Sequence, residues 1–278
     1  MGHFAGSFPY YLTFGGRQVH PHLAFEGLAY VVAAVLYFYL RRHFGDPIVT
    51  PIRWAVIAVA IAGATIGSKV LFLFEDPQLT WRNLHDPAYL LGGKTIVGAL
   101  VFGLLAVEAM KRFIGLKLST GDLYAIPLAV GIAIGRIGCF LTGLSDNTYG
   151  TSSTLPWAVD FGDGIPRHPT QLYEIIFLVA LLPFLYWILR SLKNGTSRRF
   201  HSGDAFKAFM VAYLFFRVLC DFIKPYPRVL LGLGTIQWAC LAGLIYYSRD
   251  IVRWVRPRTK PKATLPLQSS STNEWISE

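Results

Sequence analysis

Seven long apolar stretches, separated by shorter polar ones, constrain this chain more than any other feature of its sequence. Each stretch approaches the roughly 20 mostly apolar residues that a helix needs to cross a bilayer. The stretches are residues 22–40, 52–74, 95–110, 121–143, 172–192, 203–223 and 230–248. Only 15% of the 278 residues are charged and 53% are hydrophobic, which argues against ordinary soluble domains. We therefore predict an all-α, polytopic membrane protein of about seven transmembrane helices.

The distribution of lysine and arginine predicts how these helices are oriented. Most of the basic residues outside the apolar stretches lie in the loops that follow the first, third, fifth and seventh stretches. Because positive residues accumulate on the cytoplasmic side, the N-terminus is predicted outside and the C-terminus in the cytoplasm. The net charge of +10 then reflects topology and attraction to the headgroups of membrane lipids, and it does not indicate nucleic-acid binding.

The polar segments predict one transmembrane domain, residues 1–250, followed by a tail. The largest polar insertion, residues 144–171, falls on the outer side and contains Trp157 and Phe161, so we expect it to be ordered. Residues 251–278 are basic and then polar, as in a disordered cytoplasmic tail. The three cysteines lie in separate apolar stretches, so we expect neither disulfides nor a metal site and interpret them as packing residues.

Arg136 lies inside the fourth apolar stretch, between glycines. A charge in a span costs several kcal/mol unless it is paired or lines a wet cavity. An ion pair or snorkelling to the interface would explain Arg136 without any ligand. Gly131 and Gly135 form a small-residue pair that predicts close approach of another helix.

Further polar residues are predicted near the depth of Arg136. In the sixth stretch, Arg217 shares a helix face with Tyr213 and Asp221, since each lies four residues away. An internal Arg217–Asp221 pair is the simpler interpretation. Two arginines at one depth also predict a phosphate site, because the guanidinium grips oxyanions with two donors. Lys69, in the second stretch, either joins that site or snorkels.

The sequence RHPTQLYEII opens the fifth stretch from the outer side. It contributes His168, Gln171, Tyr173 and Glu174 to the polar residues predicted there. A histidine in such a place is most often a capping or solvated residue, but it also suits proton transfer.

These motifs together resemble the prolipoprotein diacylglyceryl transferases over roughly residues 20–250. The resemblance rests on GRIGCFLTG, then Gly150, RHPTQLYE and AYLFFRVLCDFIK. It implies a multi-pass protein of the bacterial cytoplasmic (inner) membrane that needs no cofactor. It also implies transfer of a diacylglyceryl group from phosphatidylglycerol to the lipobox cysteine of prolipoproteins.

The resemblance also implies roles for individual residues. Arg136 matches the arginine that grips the phospholipid, and Lys69 falls where many members have an arginine. Arg217 and Tyr213 match a second arginine and its nearby tyrosine. Gly143 and Gly150 match two glycines of the loop after the fourth stretch.

The sequence departs from the family at positions close to these motifs. Cys139 stands where an asparagine is usual, and Leu144 where a glutamate is usual. Glu26 precedes Gly27 where the family has a tyrosine, and Val97 replaces a histidine or aromatic residue of the third stretch. The base that deprotonates the thiol is therefore open. Either one of Glu26, Lys94 and His168 accepts the proton, or the thiol ionises beside the cationic cluster without a dedicated base.

Two other functions stay open on the sequence alone. One is a transferase of the same fold with a different acceptor, suggested by the altered first, third and fourth stretches. The other is a non-catalytic membrane protein that binds or transports phospholipids through the same arginines.

Overall fold

The computed structural model describes residues 4–5, 8–197 and 199–256, and within this part the chain is mostly helical. Residues 257–278 of the predicted tail lie outside the described residues. Helical structure extends to Val255, so the first residues of the segment predicted as a tail belong to a helix.

Seven helices lie on the seven apolar stretches. They are α1 (Pro21–Phe44), α2 (Thr50–Glu75), α5 (Ile96–Phe113), α6 (Ala125–Thr142), α7 (Thr170–Lys193), α8 (Asp204–Cys220) and α9 (Thr235–Tyr246). Short 3-10 turns extend α6 at both ends (Asp122–Tyr124 and Gly143–Asp146), and another follows α8 (Asp221–Ile223). Four segments are long and apolar enough to cross a membrane: α1, α2, α7 and the continuous Asp122–Asp146. A helix satisfies its backbone polar groups internally, as a bilayer requires.

Three further helices are short. They are α3 (Pro77–Arg82), α4 (Pro87–Gly92) and α10 (Ser248–Val255). In α3 and α4 a proline occupies the first turn, and the preceding aspartate accepts a backbone N–H: Asp76 from Leu79 and Asp86 from Ala88, each at 2.9 Å. These caps mark the points between α2 and α5 at which the short helices α3 and α4 begin.

Among the described residues, five short strands supplement the helices. They are β1 (Phe4–Ala5), β2 (Leu12–Phe14), β3 (Arg17–Val19), β4 (Val159–Asp160) and β5 (Pro166–Arg167). Strands β2 and β3 form an antiparallel hairpin, while β4 pairs with β5 antiparallel and with β1 parallel. Phe161, beside β4, is buried and packs its ring against Phe8 and Phe140. Residues 144–171 are thus folded back onto the end of α6.

Close contacts between helices determine which residues meet. Helix α1 packs on α6, α2 on α5, α6 also on α7, and α8 on α9. A Cβ added to Gly138 would lie 2.8 Å from Phe25 Cβ and 3.3 Å from His22 Cα. Gly135, by contrast, has open space around its missing Cβ. The predicted pair Gly131–Gly135 is therefore wrong for Gly135, and Gly138 makes the close approach to α1.

Candidate active site

Arg136 and Glu174 form a buried ion pair between α6 and α7. The Arg136 Nε lies 2.9 Å from the Glu174 Oε2, and both side chains are almost fully buried. The N–H is not aligned for a hydrogen bond, so the contact is ionic. Tyr213, from α8, donates a 2.7 Å hydrogen bond to the Glu174 Oε1. Three residues predicted from separate stretches of sequence therefore meet in one place.

Arg217 and Asp221 form a second buried pair, within one helix turn. The Arg217 Nη2 donates to the Asp221 Oδ1 at 3.0 Å and to Oδ2 at 3.3 Å, and Nε donates to Oδ1 at 3.2 Å. This confirms the contact predicted from the four-residue spacing. Arg217 Nη1 takes no part in these bonds.

Lys224, seven residues after Arg217, adds a third buried cation. Its side chain is 2% exposed, and its Nζ lies 5.5 Å from the centre of the Tyr226 ring. Within the described ranges, no carboxylate oxygen lies within 4.0 Å of that nitrogen. Burial, together with nearby Arg217 and Arg136, lowers the pKa of Lys224 to about 8 against the opposing effect of Asp221. A phosphate anion is the natural partner for such an ammonium.

Glu26, in the first turns of α1, pairs with Lys94, just before α5. The Lys94 Nζ donates to the Glu26 Oε1 at 2.6 Å, and the Tyr30 hydroxyl donates to the same oxygen at 2.9 Å. Lys69 donates to the backbone carbonyl of Gly93 at 2.8 Å, which places it beside Lys94. The structure therefore brings together the residues predicted in the first, second and third stretches.

His22, Cys139 and Asp146 form a cluster that the sequence does not predict. The His22 Nδ1 lies 2.7 Å from the Asp146 Oδ1. The Cys139 Sγ lies 3.9 Å from that nitrogen and 3.7 Å from the Arg136 Nη1. Cys139 is therefore more than a packing residue, because it separates the histidine from the arginine. The four-residue spacing of His22 and Glu26 on α1 is the one local pattern from which His22 could have been suspected.

The same three residues meet a simple geometric condition for binding a metal. One donor atom from each lies within 4.8 Å of the others. The 2.7 Å between the His22 nitrogen and the Asp146 oxygen is a hydrogen-bond distance, whereas two ligands on a tetrahedral zinc ion stand roughly 3.3 Å apart. The geometry therefore fits a histidine–carboxylate pair better than a metal site.

Gly143 and Gly150, in the segment after α6, occupy positions that only glycine fits. Gly143 has a φ of +73°, and an added Cβ would lie 2.6 Å from Phe8 Cβ. At Gly150, an added Cβ would lie 2.6 Å from His168 Cβ, and the Gly150 N–H donates to the His168 carbonyl at 2.8 Å. These glycines shape the loop around the site.

The start of α7 is tied to this loop. Gln171 is buried and donates to the Thr148 Oγ1 at 3.1 Å, and that hydroxyl donates to the Asp146 Oδ2 at 2.7 Å. The His168 Nδ1 lies 3.1 Å from the Tyr173 hydroxyl. That hydroxyl also accepts from the Trp157 Nε1 at 2.8 Å.

The site thus contains three buried cations, Arg136, Arg217 and Lys224, and beside Arg136 a histidine–carboxylate pair, His22 and Asp146. It fits the family model described as prolipoprotein diacylglyceryl transferase, which matches residues 9–252. The chain belongs to this family. The chain is 31% identical over 256 residues to the phosphatidylglycerol–prolipoprotein diacylglyceryl transferase of Methylococcus capsulatus, covering 85% of this chain and 89% of that one. The protein of the same name from Zymomonas mobilis is 27% identical, covering 82% and 80%.

Membership of the family is compatible with the described fold. The family match runs from before α1 into α10, so it covers all seven long helices and the outer loop. The protein of the same name from Clostridium tetani is 32% identical over 179 residues, which is 61% of this chain and 67% of that one. The departures at Glu26, Val97, Cys139 and Leu144 are therefore substitutions within a family member.

Proposed function

We propose that this chain transfers the diacylglyceryl group of phosphatidylglycerol to the lipobox cysteine thiol of prolipoproteins. The relatives carry that activity in their names. The observation that carries the proposal here is the buried cluster of Arg136, Arg217 and Lys224. Arg136 and Arg217 already pair with Glu174 and Asp221. Among the described residues Lys224 has no carboxylate oxygen within 4.0 Å, and a headgroup phosphate can supply the anion that a buried cation needs.

The reaction is a displacement at carbon. The sulfur of the acceptor thiolate forms a bond to the terminal glyceryl carbon of the diacylglyceryl group. The bond from that carbon to the phosphate oxygen breaks, and glycerol phosphate leaves with the electron pair. The thiol must lose its proton, since the thiolate is the nucleophile. Fixed cations stabilise the charge that develops on the departing phosphate.

The cationic cluster supports a division of roles among the predicted residues. Arg136 and Arg217 hold the phosphate, and Lys69 extends the positive surface towards the outer side. Glu174, Tyr213 and Asp221 keep the two guanidiniums in place. Gln171, Tyr173, Gly143 and Gly150 shape the loop that covers the headgroup.

The bases proposed from the sequence differ in what surrounds them. Glu26 already accepts from Lys94 and Tyr30, and Lys94 is its ion-pair partner. His168 lies beside the Tyr173 hydroxyl. All three remain candidates for proton transfer or for contacts with the acceptor peptide.

The seven long helices support a seven-span arrangement in the bacterial cytoplasmic membrane. We place the N-terminus and residues 144–171 outside and the C-terminal tail in the cytoplasm. The residues of the cluster then lie near the outer ends of their helices, where a secreted preprotein presents its cysteine. Cysteine-accessibility labelling at residues 45 and 115 (inner loops) and 85 and 163 (outer loops) tests this orientation.

A transfer assay in membranes tests the function. Purified chain is mixed with phosphatidylglycerol and a lipobox peptide, and the thioether product is followed by mass spectrometry. We expect transfer by the wild type and loss of about 10²-fold or more with Arg136→Ala. Arg112→Ala, at an exposed inner position, is the matched control. Equal transfer by both variants would remove the headgroup role from Arg136.

A different acceptor is the second candidate. Val97, where the resemblance implies a histidine or aromatic residue, is fully buried and has no group that can take a proton. Offering the enzyme a cysteine peptide without a lipobox and a small thiol, in the same assay, distinguishes the two candidates. Faster transfer to either of these than to the lipobox peptide would favour the second.

A further inference from the structure

We propose that His22 is the base that deprotonates the acceptor thiol in this chain, with Asp146 as its orienting carboxylate. The inference rests on the proposed function and deepens it. It begins from a contact between segments that are far apart in sequence, the start of α1 and the turn after α6. Neither residue belongs to a motif of the sequence.

The contact with Asp146 determines which nitrogen of His22 is free. The Asp146 side chain is 9% exposed and its Oδ1 lies 2.7 Å from the His22 Nδ1. A carboxylate that close holds the proton on Nδ1, so Nε2 of the neutral ring carries the lone pair. The Asp146 carboxylate also stabilises the imidazolium that forms once Nε2 takes a proton.

A relay of hydrogen bonds holds the carboxylate in place. The Thr148 hydroxyl donates to the Asp146 Oδ2 at 2.7 Å, and Gln171 donates to that hydroxyl at 3.1 Å. Gln171 is 1% exposed and stands in the first turn of α7. Asp146 is therefore fixed from the side opposite the histidine.

The free nitrogen faces a partly open space. The His22 side chain is 37% exposed, and its Nε2 lies 3.7 Å from the Glu26 Oε2, too far for a hydrogen bond. Glu26 is engaged through its other oxygen by Lys94 and Tyr30. An acceptor thiol can approach Nε2 without displacing a hydrogen bond.

The base lies beside the phosphate site. Cys139 Sγ is 3.9 Å from the His22 Nδ1 and 3.7 Å from the Arg136 Nη1, so one small side chain separates the two functions. The close packing of Gly138 against α1 makes this possible, because any larger residue would push His22 away. The charged groups around His22 are Asp146, Glu26, Lys94 and, beyond Cys139, Arg136.

The proposed step balances in protons and electrons. The S–H bond of the acceptor breaks and its proton moves to the His22 Nε2. The sulfur attacks the glyceryl carbon as the bond from carbon to phosphate oxygen breaks, and the electron pair stays on the phosphate beside Arg136. The imidazolium then returns its proton to the departing phosphate or to water.

A pH profile of transfer tests this role. Transfer from phosphatidylglycerol to a lipobox peptide is measured between pH 6 and 10 for wild type, His22→Gln, Asp146→Asn and the control His85→Gln. His85 lies in an exposed turn. Because Asp146 and Glu26 favour the charged ring, wild-type transfer should rise with pH as the ring loses its proton. We expect His22→Gln to lose about 10²-fold at the pH where the wild type is fastest. The difference between the two should shrink as the pH rises further and the acceptor thiol ionises unaided. Asp146→Asn should fall in between, and His85→Gln should match wild type.

Several outcomes would overturn the proposal. Transfer by His22→Gln within about threefold of wild type at the pH where the wild type is fastest excludes a general base. A loss that stays constant across the pH range assigns His22 a structural role, and phosphatidylglycerol binding in nanodiscs checks that the variant is folded. Inactivation of the wild type by a chelator, restored by Zn²⁺, would replace the pair with a metal site. Absence of transfer by the wild type at every pH would instead defeat the proposed function, and the His22 role with it.

Discussion

The Arg136 guanidinium of α6 and the Glu174 carboxylate of α7 meet at 2.9 Å, and each is almost fully buried. Neither charge has water to solvate it, so each depends on the other. The pair joins two helices, unlike Arg217 and Asp221, which lie on one. It therefore positions the arginine and also holds α6 against α7.

Removing the carboxylate should destabilise the protein. Glu174→Gln leaves the Arg136 charge buried without its partner, which costs about 3–5 kcal/mol in comparable pairs. We expect a lower midpoint of thermal unfolding in detergent. The control is Glu108→Gln, which breaks the half-exposed pair with Lys111 and should cost less than about 1 kcal/mol. Similar midpoints for the two variants would mean that the buried pair adds little.

Replacing Arg217 by lysine should slow transfer while keeping the charge. Arg217 grips Asp221 through Nε and Nη2, and a lysine cannot do so and also reach a phosphate through another donor. We expect kcat/KM for phosphatidylglycerol to fall by about 10²-fold, as for loss of one fixed donor. Arg112→Lys is the control. Unchanged kinetics would place the phosphate away from Arg217.

Binding of phosphatidylglycerol should weaken as pH rises through about 8. Burial lowers the pKa of Lys224 to that value, with Arg217 and Arg136 adding to the effect, so its ammonium is charged below pH 8 and neutral above. The contribution of Lys224 to phosphate binding is then present at low pH and lost at high pH. Equilibrium binding in nanodiscs from pH 6.5 to 9.5 measures this. In Lys224→Arg the charge persists, and the pH dependence should disappear; if it remains, another group is responsible.

Alanine at Gly143 should cost more than alanine at Gly115. Both glycines have positive φ, +73° and +69°, but only Gly143 has a neighbour, Phe8, in the space of the missing Cβ. Strain of about 1–2 kcal/mol is expected at each, with a steric cost added at Gly143. Thermal unfolding of Gly143→Ala and Gly115→Ala compares them. Equal midpoints would show that Phe8 moves aside freely.

Local periodicity was sufficient to predict much of the fold and one part of the site. The seven helices fall on the seven apolar stretches, and Arg217 meets Asp221 because residues four apart share a helix face. These features depend on interactions within one element.

Contacts between segments that are far apart in the sequence could not be predicted from local periodicity. His22 and Cys139 are 117 residues apart, and no periodicity relates them; their meeting depends on the register of α1 against α6, set at Gly138. Lys69 lies in the predicted stretch, yet its ammonium donates to the Gly93 carbonyl, which no pattern specifies. Asp146 was not predicted as a site residue, because it lies in the polar segment after GRIGCFLTG and belongs to none of the motifs.

The relay from Gln171 through Thr148 to Asp146 has a consequence for biosynthesis. Under the proposed mechanism, His22 enters the membrane with the first helix, but its carboxylate is fixed only when α7, the fifth of the seven long helices, has docked against the loop after α6. A chain that is still being inserted therefore holds the histidine without its orienting partner. The chain therefore becomes catalytically active only late in its insertion. Until then it does not react with the thiols of other proteins that are exported beside it.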